Sequence, residues 1–141
     1  MIRLLVVLAA LLVPTLGLAI SCVGSQSVRE AYASEDNVFL SNVVELSSGS
    51  AFGRADVKLA KVQITRVFKG SLTAGALVEV TAEDSVSFFG DGFVPTVGAE
   101  LLVYASGGNP LFLGVCSRTT MHPSRRELAS LERLAVAKPG G

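Results

Sequence analysis

The chain has one histidine, two cysteines and no tryptophan among 141 residues. A single histidine, His122, cannot supply the clustered ligands of a catalytic or structural zinc site, even with Cys22 and Cys116 counted. A Ser-His-acid triad would need His122 beside a serine and a carboxylate, and no Gly-x-Ser-x-Gly elbow occurs. An enzyme is therefore not expected, nor a cofactor, nor a metal of its own. Lysine and arginine balance aspartate and glutamate at a formal net charge of zero. Without a basic stripe the chain lacks the long-range field that draws in nucleic acid. Phe39, Phe68, Tyr104 and Phe112 could serve as stacking aromatics, but no positive groove surrounds them. Arg118, Arg125, Arg126 and Arg133 read as a solvated helix face with i,i+4 partners.

What the chain has in excess is apolar sequence at its start. Arg3 precedes an unbroken apolar run from Leu4 to Val13, then come Pro14, Gly17 and small residues. That order is the charged, hydrophobic and cleavage regions of a secretory signal peptide, and the run is shorter than the ~20 residues of a membrane span. We read residues 1–19 as the signal. Cleavage after Ala19 leaves Ile20 as the new terminus, and cleavage after Ser21 leaves Cys22. A third reading is a lipoprotein signal at Leu18-Ala19-Ile20-Ser21-Cys22, although Ala19 stands where Leu is usual and Ser21 where Gly or Ala is usual. The protein is thus expected outside the cytoplasm, extracellular or periplasmic, and at a membrane only if Cys22 is lipidated.

About 120 residues remain, enough for one domain with a core. Two cysteines in an exported chain favour pairing. A Cys22–Cys116 bond would close a loop of about 95 residues, for which chain entropy gives roughly 4–5 kcal/mol. Lipidation would exclude that bond, because the same sulfur would be used twice.

Ser27-Val28-Arg29-Glu30 has the form of a capping box, with Val28, Ala31 and Tyr32 at helical spacing, so a short helix should end near Ser34. Val38 to Leu46 is rich in β-branched residues and reads as a strand, with a Ser/Gly loop after it from Ser47 to Gly53. Further strands are expected at about Val57 to Phe68, ending in the turn Lys69-Gly70-Ser71, at Leu77 to Thr81, at Leu101 to Ala105, and at Leu111 to Val115 with Cys116 at its end. Residues 83–98 read as a long irregular connection with a short strand at Val86 to Phe89. A second capping box, Ser124 with Glu127, opens a helix with Leu128, Leu131 and Leu134 as its stripe. Residues 138–141 form a flexible tail. The expected fold is mainly β, a five-stranded OB-type antiparallel barrel over residues 20–137, with a short N-terminal helix and a C-terminal helix.

The stretches Asp36 to Glu45, Val67-Phe68-Lys69-Gly70, Gly98 to Ala105 and Cys116-Ser117-Arg118-Thr119 resemble, in that order, the netrin-type domains of bacterial exported proteins, similar to tissue inhibitors of metalloproteinases (TIMPs). The resemblance implies an OB barrel with flanking helices. It also implies a protein partner, a metalloprotease in the inhibitory branch of the family. There a Cys-x-Cys start chelates the protease zinc through its α-amine and carbonyl. Ile20-Ser21-Cys22 lies where that start would be, so Ile20, Ser21, Cys22 and Val23 are the implied protease-contacting segment. The resemblance further implies that Ile20 and Phe89 replace one lost cysteine pair and that Cys22 and Cys116 are the retained pair. Phe88 and Phe89 would then fill the space of the absent bridge. Two functions are consistent with it: a non-enzymatic interaction module of the cell envelope, or a metalloprotease inhibitor. A chelating terminus must be held rigid, because ordering a loose one is subtracted from the binding energy.

Overall fold

The computed structural model describes residues 26–51, 53–82, 94–114 and 116–137. The signal segment, the strand expected at Val86 to Phe89, the pair Phe88-Phe89 and the tail at 138–141 lie outside the described residues. Helix α1 (Val28–Ser34) is followed by strands β1 (Asn37–Ala51), β2 (Arg54–Lys69), β3 (Leu77–Thr81), β4 (Glu100–Ala105) and β5 (Thr120–Met121), then by helix α2 (Arg125–Ala137). The strands form one antiparallel sheet in the order β3-β2-β1-β4-β5. The mainly β class with two helices is as expected.

Two strand assignments differ from the sequence reading. The Ser/Gly stretch after Leu46 is not a loop: β1 continues through it to Ala51, paired with β2 down to Arg54. Ladder hydrogen bonds involve only the backbone, so polar side chains tolerate a strand whose faces meet water. Residues 111–114, the described part of the expected strand, do not form the fifth strand, which is Thr120–Met121 instead. Leu111 and Phe112 make only single bridges, Leu111 parallel to Val80 and Phe112 antiparallel to Ser106. Among the described residues the sheet is thus not closed by a continuous ladder; the two bridges and a bond from Leu113 N–H to Thr81 Oγ1 (3.0 Å) span between β3 and the end of β4.

Packing depends on parity and on the bulges that alter it. The β1–β2 register slips at Thr65 and Phe68 on β2, at Val44 on β1, and again between Gly49 and Ala51 near the hairpin end. Each slip adds a residue to one strand, bends it and increases its twist. Before the slip at Thr65, Ala60, Val62 and Ile64 of β2 join Phe39, Val43, Leu101 and Val103 on the concave face. After it Val67 packs on that same face, while Phe68 faces the helices. On the convex face, Val38, Phe68, Leu102 and Tyr104 meet Ala31 and Tyr32 of α1 and Leu131 of α2. Strand β4 is therefore buried on both faces from Leu101 to Ala105. Its unbroken apolar run is the pattern expected when a strand has no wet face.

Helix α1 shows how the strands hold the helices. Its capping box is complete: Ser27 N–H donates to Glu30 Oε2 (2.8 Å) and Glu30 N–H to Ser27 Oγ (3.2 Å). At its other end α1 has no basic residue of its own. Lys69 of β2 takes that place, donating from Nζ to the carbonyls of Tyr32 (2.7 Å), Ala33 (3.3 Å) and Glu35 (2.6 Å). A cation on the last carbonyls satisfies orphan acceptors and complements the helix dipole. Tyr32 Oη returns a bond to the Phe68 carbonyl (3.0 Å). The next residue, Gly70, has φ +106, and a Cβ there would collide with Asn37 Oδ1 and lie 3.2 Å from the Asp36 carbonyl. Asn37 is itself buried and has little room to move. Lys69-Gly70 is thus more than a turn: it fastens α1 to the start of β1. We predict that Gly70→Ala destabilises the domain by about 2 kcal/mol or more, from the positive φ and the clash together. The midpoint of urea unfolding measures it.

Candidate functional site

The expected contact residues Ile20, Ser21, Cys22 and Val23 lie outside the described residues. The described chain begins close to them, at Gln26, and the far end of the chain is tied to that point. Glu127 sits in the first turn of α2, on the same helical face as Leu131 and Leu134, and is almost fully buried. Ser124 caps this helix as expected, its Oγ accepting the Glu127 N–H at 3.1 Å. The other half of the anticipated capping box is replaced. The Glu127 carboxylate does not turn back to the cap but accepts from Tyr104 Oη (3.0 Å) and Arg118 Nε (2.7 Å).

A buried carboxylate away from water is costly unless it is paired and hydrogen-bonded. Here both conditions are met, and meeting them orders the surrounding chain. Arg118 uses a second nitrogen, Nη1, to donate to the Gln26 carbonyl at 2.7 Å. One guanidinium thus joins α2 to the residue before the α1 cap, across 92 positions of sequence. The strand side is held equally closely. Tyr104 N–H donates to Thr119 Oγ1 (3.0 Å), and Ser117 Oγ donates to the Tyr104 carbonyl (2.7 Å). The segment 117–119 therefore lies along β4 through side chains, not through a ladder.

Cys116 is exposed at the start of this segment and is not a free thiol. Its expected partner, Cys22, lies outside the described residues. His122 is an exposed turn residue with φ +52, its N–H donating to the Glu100 carbonyl at 3.0 Å. Among the described residues, no group of three or more His, Cys, Asp or Glu is placed to hold a metal ion. Phe39 and Tyr104 are fully buried and Phe68 nearly so, which leaves no accessible ring on them for a base to stack upon. Arg125, Arg126 and Arg133 are exposed on α2, whereas Arg118 is turned inward to Glu127. The arginines that read as one cluster in sequence thus divide into a solvated face and an internal tie. The signal for that tie is Glu127 itself, a carboxylate on an otherwise apolar stripe.

Burial raises the pKa of the Tyr104 phenol well above its ordinary 10.0; the Glu127 charge and hydrogen bond add to this, and Arg118 opposes it. The folded state therefore keeps a proton that the unfolded chain releases above about pH 10. Stability should be flat below that pH and fall above it, by about 1.4 kcal/mol per pH unit for one proton. Tyr32, also raised by burial, adds a loss of the same sign. Urea midpoints between roughly pH 8 and 11.5 should show this limb, and Tyr104→Phe should make it shallower. Arg118→Ala should cost about 2–3 kcal/mol at neutral pH, since it strands the Glu127 charge. Arg118→Ala with Glu127→Leu should cost less than the sum of the single changes, because the double variant leaves no orphan. No family model matches the chain, and no curated protein sequence matches it.

Proposed function

We propose that the chain is an exported, TIMP-like OB-fold protein-interaction module of the cell envelope, without enzymatic activity. The observation that carries the reading is the Arg118 tie, which brings Gln26 onto the segment just after Cys116. Cys22 lies four positions before Gln26, a span of at most about 14 Å. A Cys22–Cys116 bond is therefore compatible with the positions of Gln26 and Arg118. Such a bond would fix the mature terminus against the C-terminal segment and present Ile20 to Val23 as a short, anchored probe.

The strand connectivity supports the OB reading. β1 pairs with both β2 and β4, and the chain after β4 returns to β3 in parallel at Leu111. A fold alone does not specify an activity, so the site is the part that matters. The same anchored terminus favours a second reading, a metalloprotease inhibitor whose free α-amine and carbonyl chelate the protease zinc. Pre-organisation is what either use requires, because an ordered terminus loses less entropy on binding.

Intact-mass and peptide analysis of the protein recovered from its native host tests the proposal. The expected product begins at Ile20 or Cys22, carries an unmodified α-amine, and yields a Cys22–Cys116 linked peptide. An acylated Cys22 would remove both the disulfide and the chelating terminus. With the mature protein in hand, inhibition of purified zinc metalloproteases separates the two uses. An inhibitor should lose activity when one alanine is added before its terminus, whereas a module that binds by side chains should not.

A further inference from the structure

The edge of β3 is partly filled by its own chain and then left open. The bonds Ala82 N–H to Lys58 C=O (2.7 Å) and Ile64 N–H to Ala76 C=O (2.9 Å) set the alternation of the β2–β3 ladder. Val78 and Val80 consequently turn both backbone groups toward β2, while Leu77, Glu79 and Thr81 turn theirs outward. Leu111 takes up part of that outward edge: its N–H donates to the Glu79 carbonyl (2.8 Å) and its carbonyl accepts from Thr81 N–H (2.9 Å). A longer parallel strand would next engage the Glu79 N–H and the Leu77 carbonyl. Among the described residues the chain does not supply it: Gly108 and Asn109 line the adjoining space, but residues 108–110 make no backbone hydrogen bond to β3. Among the described residues, neither of those two groups has a partner.

The space so created is a groove of about 420 Å³ beside this edge, lined by Leu72, Leu77, Val78, Leu111, Glu79 and Asn109 among others. Leu77 is 59% exposed on an edge strand, where soluble proteins usually place a charge or a proline. The charges at the rim are unequal. Lys61 is paired with Glu45 at 3.2 Å, while the Glu79 carboxylate has no cation partner among the described residues.

We propose that this edge is a docking site for an extended segment of a partner protein, added as a strand along Leu77–Glu79. Its apolar side chains would enter the groove between Leu72, Leu77 and Leu111, and a lysine or arginine would lie against Glu79. Main-chain bonds to the outward groups would supply affinity, and the groove with its lone carboxylate would supply selectivity. The site deepens the reading of the chain as an interaction module and rests on it, but it is separate from Ile20 to Val23.

The test is a titration of the ¹⁵N-labelled mature protein with a synthetic peptide of alternating valine and lysine, blocked at both ends. Saturable shifts of the Leu77 and Glu79 amides are expected. The same peptide with its alternate amides N-methylated should bind about tenfold more weakly or worse, since it loses the strand's hydrogen bonds. Glu79→Pro removes an outward donor together with the carboxylate and should weaken binding at least as much, and well beyond Glu79→Gln, with the β2 ladder retained. Glu79→Gln keeps the donor and should weaken this basic peptide about threefold, by loss of the charge. Equal binding of the methylated peptide, or no shift at Leu77 and Glu79 at millimolar peptide, would overturn the site. So would concentration-dependent shifts of the same amides without peptide, which would make a second copy of the chain the occupant. Crosslinking the mature protein to envelope proteins distinguishes the two levels. Undiminished crosslinks with Glu79→Pro would leave the interaction module standing and remove this edge from it, whereas absence of crosslinks with and without the substitution would remove both.

Discussion

The Glu127 carboxylate is the constraint on which much of the rest depends. A charge in the seam between a helix and a sheet is tolerated only if partners reach it, and each partner here comes from a different part of the chain. Tyr104 Oη reaches it from β4, so β4 must present that ring to the helices and not to the concave core. Arg118 reaches it from the connection after residue 112, so that connection must run back along β4. Having come that close, the same guanidinium meets the Gln26 carbonyl. The position of Gln26 is thus tied to how one buried charge is satisfied. A leucine at 127 would suit the apolar stripe as well or better, but it would give Arg118 no reason to be there.

The second organising fact is that one sheet serves two cores. β4 is short and buried on both faces, and β1 changes from an interior strand near Val38 to a wet one beyond Glu45. Bulges on β2 carry the change across the hairpin, so that Val67 and Phe68 serve opposite faces a few residues after Ile64 serves the concave one. Curvature and helix docking are in this sense one event. The bulge that bends β2 also presents Phe68 outward and brings Lys69 over the carbonyl end of α1.

Much of this is legible in the residues. Both helices, the start of β1, the end of β2, and the spans of β3 and β4 can be read from capping boxes, β-branched runs and turn glycines. What escapes shares a physical reason. The extension of β1 through Ser47 to Ala51 is backbone pairing with β2, to which a Ser/Gly composition is nearly silent. The true fifth strand, Thr120–Met121, is two residues long and has no pattern to read, while the apolar run at 111–115 resembles a strand because Leu111 and Leu113 pack on the concave core. Glu127 reads as half of a capping box because local spacing allows it. The long-range alternative, a buried phenol and a guanidinium, is stronger and is invisible to a window of four residues.

These differences bear on function in separate ways. Where the sequence suggests a fifth strand, the chain instead makes two bridges and leaves. A strand extended back through residues 108–110 would have met the outward groups of Leu77 and Glu79 and covered that edge. Its absence leaves the domain with two unlike ends. At one, Arg118 joins Gln26 to Glu127 with charged hydrogen bonds, which are directional and, at Glu127, partly withdrawn from water. At the other, a neutral backbone edge lies beside apolar side chains and a carboxylate without a cation partner among the described residues, an arrangement that, as a strand-docking site, would accept many sequences with a preference for basic ones. A terminus anchored through the proposed Cys22–Cys116 bond and a permissive edge on a single small scaffold would let the protein hold one partner by shape and another by strand pairing, with no change of conformation required for either.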